Sequence, residues 1–294
     1  MATPPPDISS LVTKLQNKRN IYLAIMTVGV IAIVLAVALM LYKAMPHFAS
    51  PVVLTSISLI ISLGWAHLIN LLFIHSSTPL LQKNLSKIID LSYYKDGSFR
   101  IQDLASHNIL PTLEYPETTQ GFDGTINETQ SAFQHASWEK SDLASSIRPY
   151  DFDGIIMKLA VKHRFEGHTI IASAQMFASF YETEFSSYSA LNPPLKFESK
   201  YVIRSSDSVE SQVIVDNETL EAIFKISTKL KAQWLLMSFR NDEIYIMLQR
   251  PAPLMRLNSI WLPVKSDVIA DAAIIQNQLR KLVQIMRQNQ QISI

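Results

Sequence analysis

Two stretches without a charged residue dominate the first quarter of the chain. Residues 21–42, IYLAIMTVGVIAIVLAVALMLY, leave their apolar run only at Thr27 and Gly29. At about 1.5 Å per residue such a helix covers about 33 Å, enough for a hydrocarbon core of about 30 Å. A soluble helix carries a polar stripe, which this one lacks. Tyr22 and Tyr42 stand at its two ends, where amphipathic rings favour the interface. Residues 51–74, PVVLTSISLIISLGWAHLINLLFI, are also uncharged but more polar, with Thr55, Ser56, Ser58, Ser62, His67 and Asn70. Hydroxyls bond back to helix carbonyls and are tolerated there. The pattern predicts a two-helix membrane hairpin with a tight loop over residues 43–50, punctuated by Pro46 and Pro51. The first stretch is too long for the h-region of a signal peptide, and no convincing cleavage site follows it.

Lys14, Lys18 and Arg19 precede the first span, Lys43 alone lies in the loop, and Lys83 and Lys87 follow the second. That excess on the outer flanks predicts both termini in the cytoplasm. His67 and Asn70, three residues apart, raise the question of a site inside the membrane. Two polar residues in two spans do not line a transport path, and they read instead as interfacial or interhelical bonding groups. Gly29, Ala32 and Ala36 offer a small-residue face for close packing.

Beyond residue 75 the pattern changes to short alternating runs. Leu81, Leu85, Ile88 and Ile89 predict a juxtamembrane helix begun at Thr78-Pro79. Asp96-Gly97 marks a hairpin within Tyr93–Ile101, followed by a short helix over residues 102–108. Residues 112–137 read as strands broken at Gly121 and Gly124, and residues 139–150 as a loop. In Gly154–Phe165, Ile155, Met157, Leu159 and Val161 alternate with Lys158, Lys162 and Arg164, a half-buried strand. Phe165-Glu166-Gly167 then turns into a partner strand, His168–Ser173. Residues 182–196 read as a loop, and Phe197–Arg204 and Ser208–Val215 as two strands around Ser205-Ser206-Asp207. A helix capped by Asp216 or Asn217 runs to Lys231, with Leu220, Ile223, Phe224 and Leu230 inward. Trp234–Phe239 and Glu243–Gln249 read as a hairpin around Arg240-Asn241-Asp242. A long helix, Asp267–Gln288, capped by Ser266, closes the pattern. The elements define an α+β fold: a transmembrane hairpin, then a mostly antiparallel sheet with two or three helices. The divisions are 1–20 tail, 21–75 hairpin, 76–92 juxtamembrane helix and 93–294 cytoplasmic α+β domain.

Composition narrows the chemistry. Hydrophobic residues are 48%, the net charge is +1, and there is no cysteine. Cysteine nucleophiles and cysteine metal ligands are thereby excluded. Before residue 76 the charged residues are Asp7, Lys14, Lys18, Arg19 and Lys43, so the remainder is nearly neutral. No broad basic face for nucleic acid is expected. Seven glycines, none after Gly167, leave no phosphate-cradling loop, and GxSxG is absent. Asp151 with Asp153 could hold Mg²⁺ beside substrate phosphates. His163, Glu166 and His168 could gather at a hairpin tip as a zinc set. Glu182 and Glu184 share a face as an acid/base pair would. Each set reads more simply as a solvated turn or loop. The sequons at Asn84, Asn127 and Asn217 carry no implication for a cytoplasmic domain. No catalytic residue, cofactor or metal is expected. The expected partners are the lipid bilayer and an unidentified protein. A membrane-anchored binding or scaffold module is favoured over a membrane-tethered hydrolase or metal-dependent enzyme.

Four segments together resemble a bacterial membrane-protein family known only as domain of unknown function 3137. They are Phe152-Asp153-Gly154, Phe165-Glu166-Gly167-His168-Thr169, the run from Phe197 to Glu210, and Ser238–Ile246. The resemblance covers about residues 85–260. Tyr201 replaces an expected phenylalanine and Ser211 an expected alanine. The resemblance implies a membrane hairpin with an α+β cytoplasmic domain at the bacterial inner membrane, and brings no catalytic residues.

Overall fold

The computed structural model describes residues 8–44, 51–109, 117–138, 151–250, 259–264 and 267–292. The loops expected over 43–50 and 139–150 and the Ser266 cap lie wholly or mostly outside these residues. The chain divides into two compact units: residues 1–88 with 256–269, and residues 89–255 with 270–294.

The first unit is built on α1 (Ile8–Ala44) and α2 (Pro51–Ile89). Both are long and apolar enough to cross a membrane. Their outward side chains are exposed: Val28 is 66% exposed and Ile60 68%. The helices meet where Trp65 lies over Gly29, and any Cβ at Gly29 would collide with the indole. Of the expected small-residue face only Gly29 meets α2, and Ala32 and Ala36 are exposed. Tyr22 packs edge-on against Phe73, and its hydroxyl bonds Ser76 Oγ at 3.0 Å. The juxtamembrane helix is not separate. α2 runs unbroken through Pro79, because a proline's missing N–H costs a helix one bond without forcing it to end. Leu81 and Leu85 are buried in this extension, as their spacing predicts.

Among the described residues the second unit is a seven-stranded, wholly antiparallel sheet with helices, the α+β class expected. β1 (Ser92–Tyr94) pairs β2 (Glu117–Ile126), which forms a hairpin with β3 (Thr129–Trp138). Asn127 and Glu128, both at positive φ, make its two-residue turn. β1 therefore pairs with β2 and not with residues 99–101, and Gly121 and Gly124 lie inside β2 rather than ending it. A 3-10 helix, Ile101–His107, follows β1.

The centre of the sheet differs most from the sequence reading. β4 (Phe152–Ser173) and β7 (Trp234–Gln249) are single long strands, not two hairpins, and they pair with each other along both halves. β3 joins the free edge of β4 over Phe152–Ala160, and β6 (Tyr201–Ser205) joins it over Thr169–Ser173. The polar runs that read as turns sit opposite each other. Residues 161–167 of β4 bulge across from Asn241, which has φ 55°. A polar break in an alternating pattern reads the same whether the chain reverses or the two strands bulge together. Nor is β4 half-buried: Ile155 and Ile156, on opposite faces, are both fully buried.

One face of the ribbon packs Ile156, Ile170, Leu236, Tyr245 and Met247 against Ile101 and Leu104 of the 3-10 helix. Met176 and Phe177 of α3 (Ala174–Phe180) join that core. The other face contributes Ile155, Met157, Met237, Ile244 and Ile246. A short β5 (Ser189–Leu191) edges β6 inside the expected 182–196 loop. Ser208–Ile214 is a helix, α4, not a strand, because Asp207 accepts the amides of Val209 and Glu210 and caps it. α5 (Asn217–Lys229) is capped by Asp216, as expected. α6 (Asp267–Ile292) is tied by an Arg250–Asp271 ion pair and by Gln276 Nε2 donating to the Ile89 carbonyl. Among the described residues the sheet unit thus has four α-helices, two of them short.

Candidate functional site

The bulge in β4 is held from below by α4. Glu210 accepts the Glu166 amide at 3.0 Å and the Gly167 amide at 2.9 Å through its two carboxylate oxygens. A Cβ at Gly167 would stand 2.6 Å from Asp207 Cβ, so the approach requires glycine. The next residue, His168, exchanges bonds with Ser206: its amide donates to Ser206 Oγ at 2.8 Å, and its carbonyl accepts the Ser206 amide at 3.0 Å. Thr169 Oγ1 and Ser205 Oγ lie 2.9 Å apart beside them. Phe165 packs edge-on to Phe239 of β7.

From this lock a line of polar groups enters the core. The hydroxyl of Ser238, on β7, lies 2.8 Å from His168 Nε2 and 2.8 Å from His107 Nδ1. His168 Nδ1 meets the Tyr188 hydroxyl at 3.1 Å. His107 Nε2 faces Glu243 Oε2 at 3.7 Å, too long for a hydrogen bond. Glu243 Oε1 pairs with Lys158 Nζ at 2.6 Å. A carboxylate facing Nε2 favours a proton there. His107 Nδ1 then accepts from Ser238, Ser238 accepts from His168 Nε2–H, and His168 Nδ1 accepts from Tyr188. One tautomer set therefore satisfies the three bonds through Ser238 and Tyr188, and leaves His107 Nε2 facing Glu243 without a hydrogen bond.

Both imidazoles are held neutral. Burial first, then the Arg240 and Lys158 charges, lower the His107 pKa to about 4. Burial, His107 and Arg240 lower that of His168 to about 3. Burial and the Glu243 carboxylate push the Tyr245 phenol, whose ring lies 4.7 Å from that of His107, above its usual range. Ser238, His107 and His168 have essentially no exposed surface. A hydroxyl between two imidazoles resembles an activated nucleophile, but this one has no face open to a substrate. A cleft of about 380 Å³ is lined by Asp96–Gln102 and Thr118 and holds none of these groups.

The sets singled out in the sequence do not assemble. Asp151 is exposed, whereas Asp153 Oδ1 lies 2.8 Å from His135 Nε2. That contact raises the His135 pKa against a larger lowering by burial. Glu166 is exposed, His168 is buried in the polar line, and the His163 side chain lies outside the described residues. Glu182 and Glu184 are both exposed beyond α3. Among the described residues no three His, Asp or Glu side chains gather as a metal set. In the hairpin unit His67 is exposed, while Asn70 Oδ1 accepts the Ile260 amide at 2.9 Å. Sequence reasoning missed His107, Ser238 and Tyr188. They are isolated in sequence: the pairing of β4 with β7 brings Ser238 to His168, and packing of the 3-10 helix and of the turns beyond α3 brings His107 and Tyr188.

Residues 150–290 match the family described as "Protein of unknown function (DUF3137)". The match begins near β4 and reaches into α6, later at both ends than the resemblance read from motifs. Three motifs that carried the resemblance are those just joined: Phe165–Thr169, the run ending Ser205–Glu210, and Ser238–Ile246. No curated protein matches the chain. A solved structure, the mycobacterial trehalose monomycolate transport factor A, TtfA, aligns over 69% of this chain and 94% of its own. The identity is 9% and the TM-score 0.39, too low to carry an argument about fold or role.

Proposed function

We propose that the chain is a membrane-anchored binding module. The hairpin crosses the bilayer with both ends on the cytoplasmic side, and the sheet unit binds a protein partner there. The observation that carries the anchor is the exposed apolar surface of α1 and α2, which none of the described residues covers. The basic residues flanking both spans support the orientation. Support for binding over catalysis comes from the polar groups of the sheet unit. Its most concentrated set is closed to solvent and spent on joining β4, β7, α4 and the 3-10 helix. A membrane-tethered hydrolase has no assembled acid, base or metal set in its favour among the described residues.

Alkaline carbonate washing should leave the full chain in the membrane pellet. Reporters fused at residue 46 and at the C-terminus should report opposite sides. Release into the supernatant, or equal sidedness, overturns the anchor. Cross-linking through exposed sheet-unit positions should give a discrete adduct that a variant with those surface positions scrambled loses. Identical adduct patterns from the two would reject the binding role.

A further inference from the structure

Between β7 and α6 the chain joins the hairpin unit over residues 256–269, of which 259–264 and 267–269 are described. Its apolar side chains have two different fates. Ile260 is fully buried in a cluster with Met26, Ile69 and Phe73. Trp261 and Leu262, the next two residues, are 58% and 56% exposed.

The segment sits in a built seat. Asn70 Oδ1 accepts the Ile260 amide at 2.9 Å and the Ser259 hydroxyl at 3.3 Å. Arg19 donates from Nε to the Ile260 carbonyl at 2.7 Å and from Nη2 to the Trp261 carbonyl at 3.3 Å. Gln16 Oε1 accepts the Val264 amide at 3.1 Å. Irregular backbone is tolerated near hydrocarbon only where other groups satisfy it, and here side chains of α1 and α2 do so. Asn70, a polar residue inside an uncharged span, thereby gains a role.

The seat also fixes a depth. Arg19 closes the basic cluster Lys14, Lys18 and Arg19, and the outward-facing apolar surface of α1 begins two residues later at Ile21. On α2 the exposed Leu68, Leu71 and Leu72 flank Asn70. Trp261 and Leu262 therefore continue the lipid-facing surface at its charged rim, where tryptophan is favoured and basic side chains meet anionic headgroups. We propose that Ser259–Val264 is an interfacial hook. Trp261 and Leu262 enter the boundary between headgroups and acyl chains in the leaflet that Lys18 and Arg19 mark. The proposal rests on the membrane-spanning reading of the hairpin.

The chain has no cysteine, so single nitroxide labels are placed by single substitutions in the full-length protein. Leu262→Cys reports the hook, Leu35→Cys on α1 reports the span, and Leu195→Cys reports water. The labelled proteins are reconstituted into phosphatidylethanolamine–phosphatidylglycerol vesicles and relaxed with oxygen or a water-soluble nickel chelate. The labels at 35 and 262 should favour oxygen, with 262 shallower, and the label at 195 should favour nickel. Adding Asn70→Leu should shift the 262 label toward nickel and leave the 35 label unmoved. A 262 label as nickel-accessible as 195, with 35 still in lipid, rejects the hook and leaves the hairpin standing. Spin–spin broadening at 262 would put a second copy of the chain there and also reject it. An unmoved 262 label in Asn70→Leu would overturn the role of the seat. Nickel access at 35 would overturn the hairpin and the hook together.

Discussion

In the hairpin unit, Val28 and Ile60 stand about two-thirds exposed, while polar Asn70 and Arg19 are engaged in holding backbone. In the sheet unit the relation reverses. Phe152, Phe239 and Tyr245 have essentially no exposed surface, and the polar line through Ser238 is sealed among them. One composition serves two solvents. Apolar surface facing outward is stable only against lipid, and apolar surface facing inward is stable in water. The same substitution should therefore have different consequences in the two units.

The largest difference is expected from emptying the sheet core. Phe239→Ala removes a fully buried ring from the pairing of β7 with β4 and should cost about 3–5 kcal/mol in denaturant melts. Membrane retention should be unchanged, and loss of retention would mean that the two units do not separate as described. Next comes a charge in the span. Ile31→Arg, at an outward position of α1, should cost about 2.5–3.5 kcal/mol of insertion and shift the protein toward the carbonate-soluble fraction. Full retention would argue that this face does not meet lipid.

Acid should act on the sheet unit. Above pH 6.5 both line histidines are neutral whether the unit is folded or not. Below it the unfolded imidazoles protonate, while folded His107 and His168 stay neutral down to about 4 and 3. Stability should fall as the pH drops below 6.5 and level off once the folded imidazoles protonate. Denaturant midpoints followed by near-ultraviolet dichroism between pH 7 and pH 4 would check this, and a flat midpoint would deny that the imidazoles are buried neutral. The smallest effect is expected at Leu195, 90% exposed on the sheet unit. Leu195→Lys should change stability by less than about 0.5 kcal/mol, in contrast to Ile31→Arg. A larger loss would mark it as covered.

The two units were also unequally legible. Residues 21–42 and 51–74 declare their helices because a period-free apolar run has few other readings. α5 was legible for a different reason, its Asp216 cap followed by a buried stripe. α4 was misread, because Val209, Val213 and Val215 alternate like a strand while the decisive signal, Asp207 capping with Glu210 at the third helical position, is brief. β4 and β7 hid their length, since a bulge and a turn use the same polar residues. The polar line was not legible at all. His107, His168 and Ser238 are separated by up to 131 residues, and only strand pairing and the packing of the 3-10 helix bring them together.

Thiol accessibility tests the central contrast most directly. Val28→Cys, Ile31→Cys and Leu35→Cys occupy positions that the fold itself leaves open, as does Leu195→Cys. In native membranes a membrane-impermeant maleimide, given access to both faces, should label Leu195→Cys rapidly. It should leave the three α1 positions unmodified until detergent and denaturant are added. Labelling of Val28, Ile31 and Leu35 at the rate of Leu195 would show them in water, and would contradict an α1 that spans a bilayer.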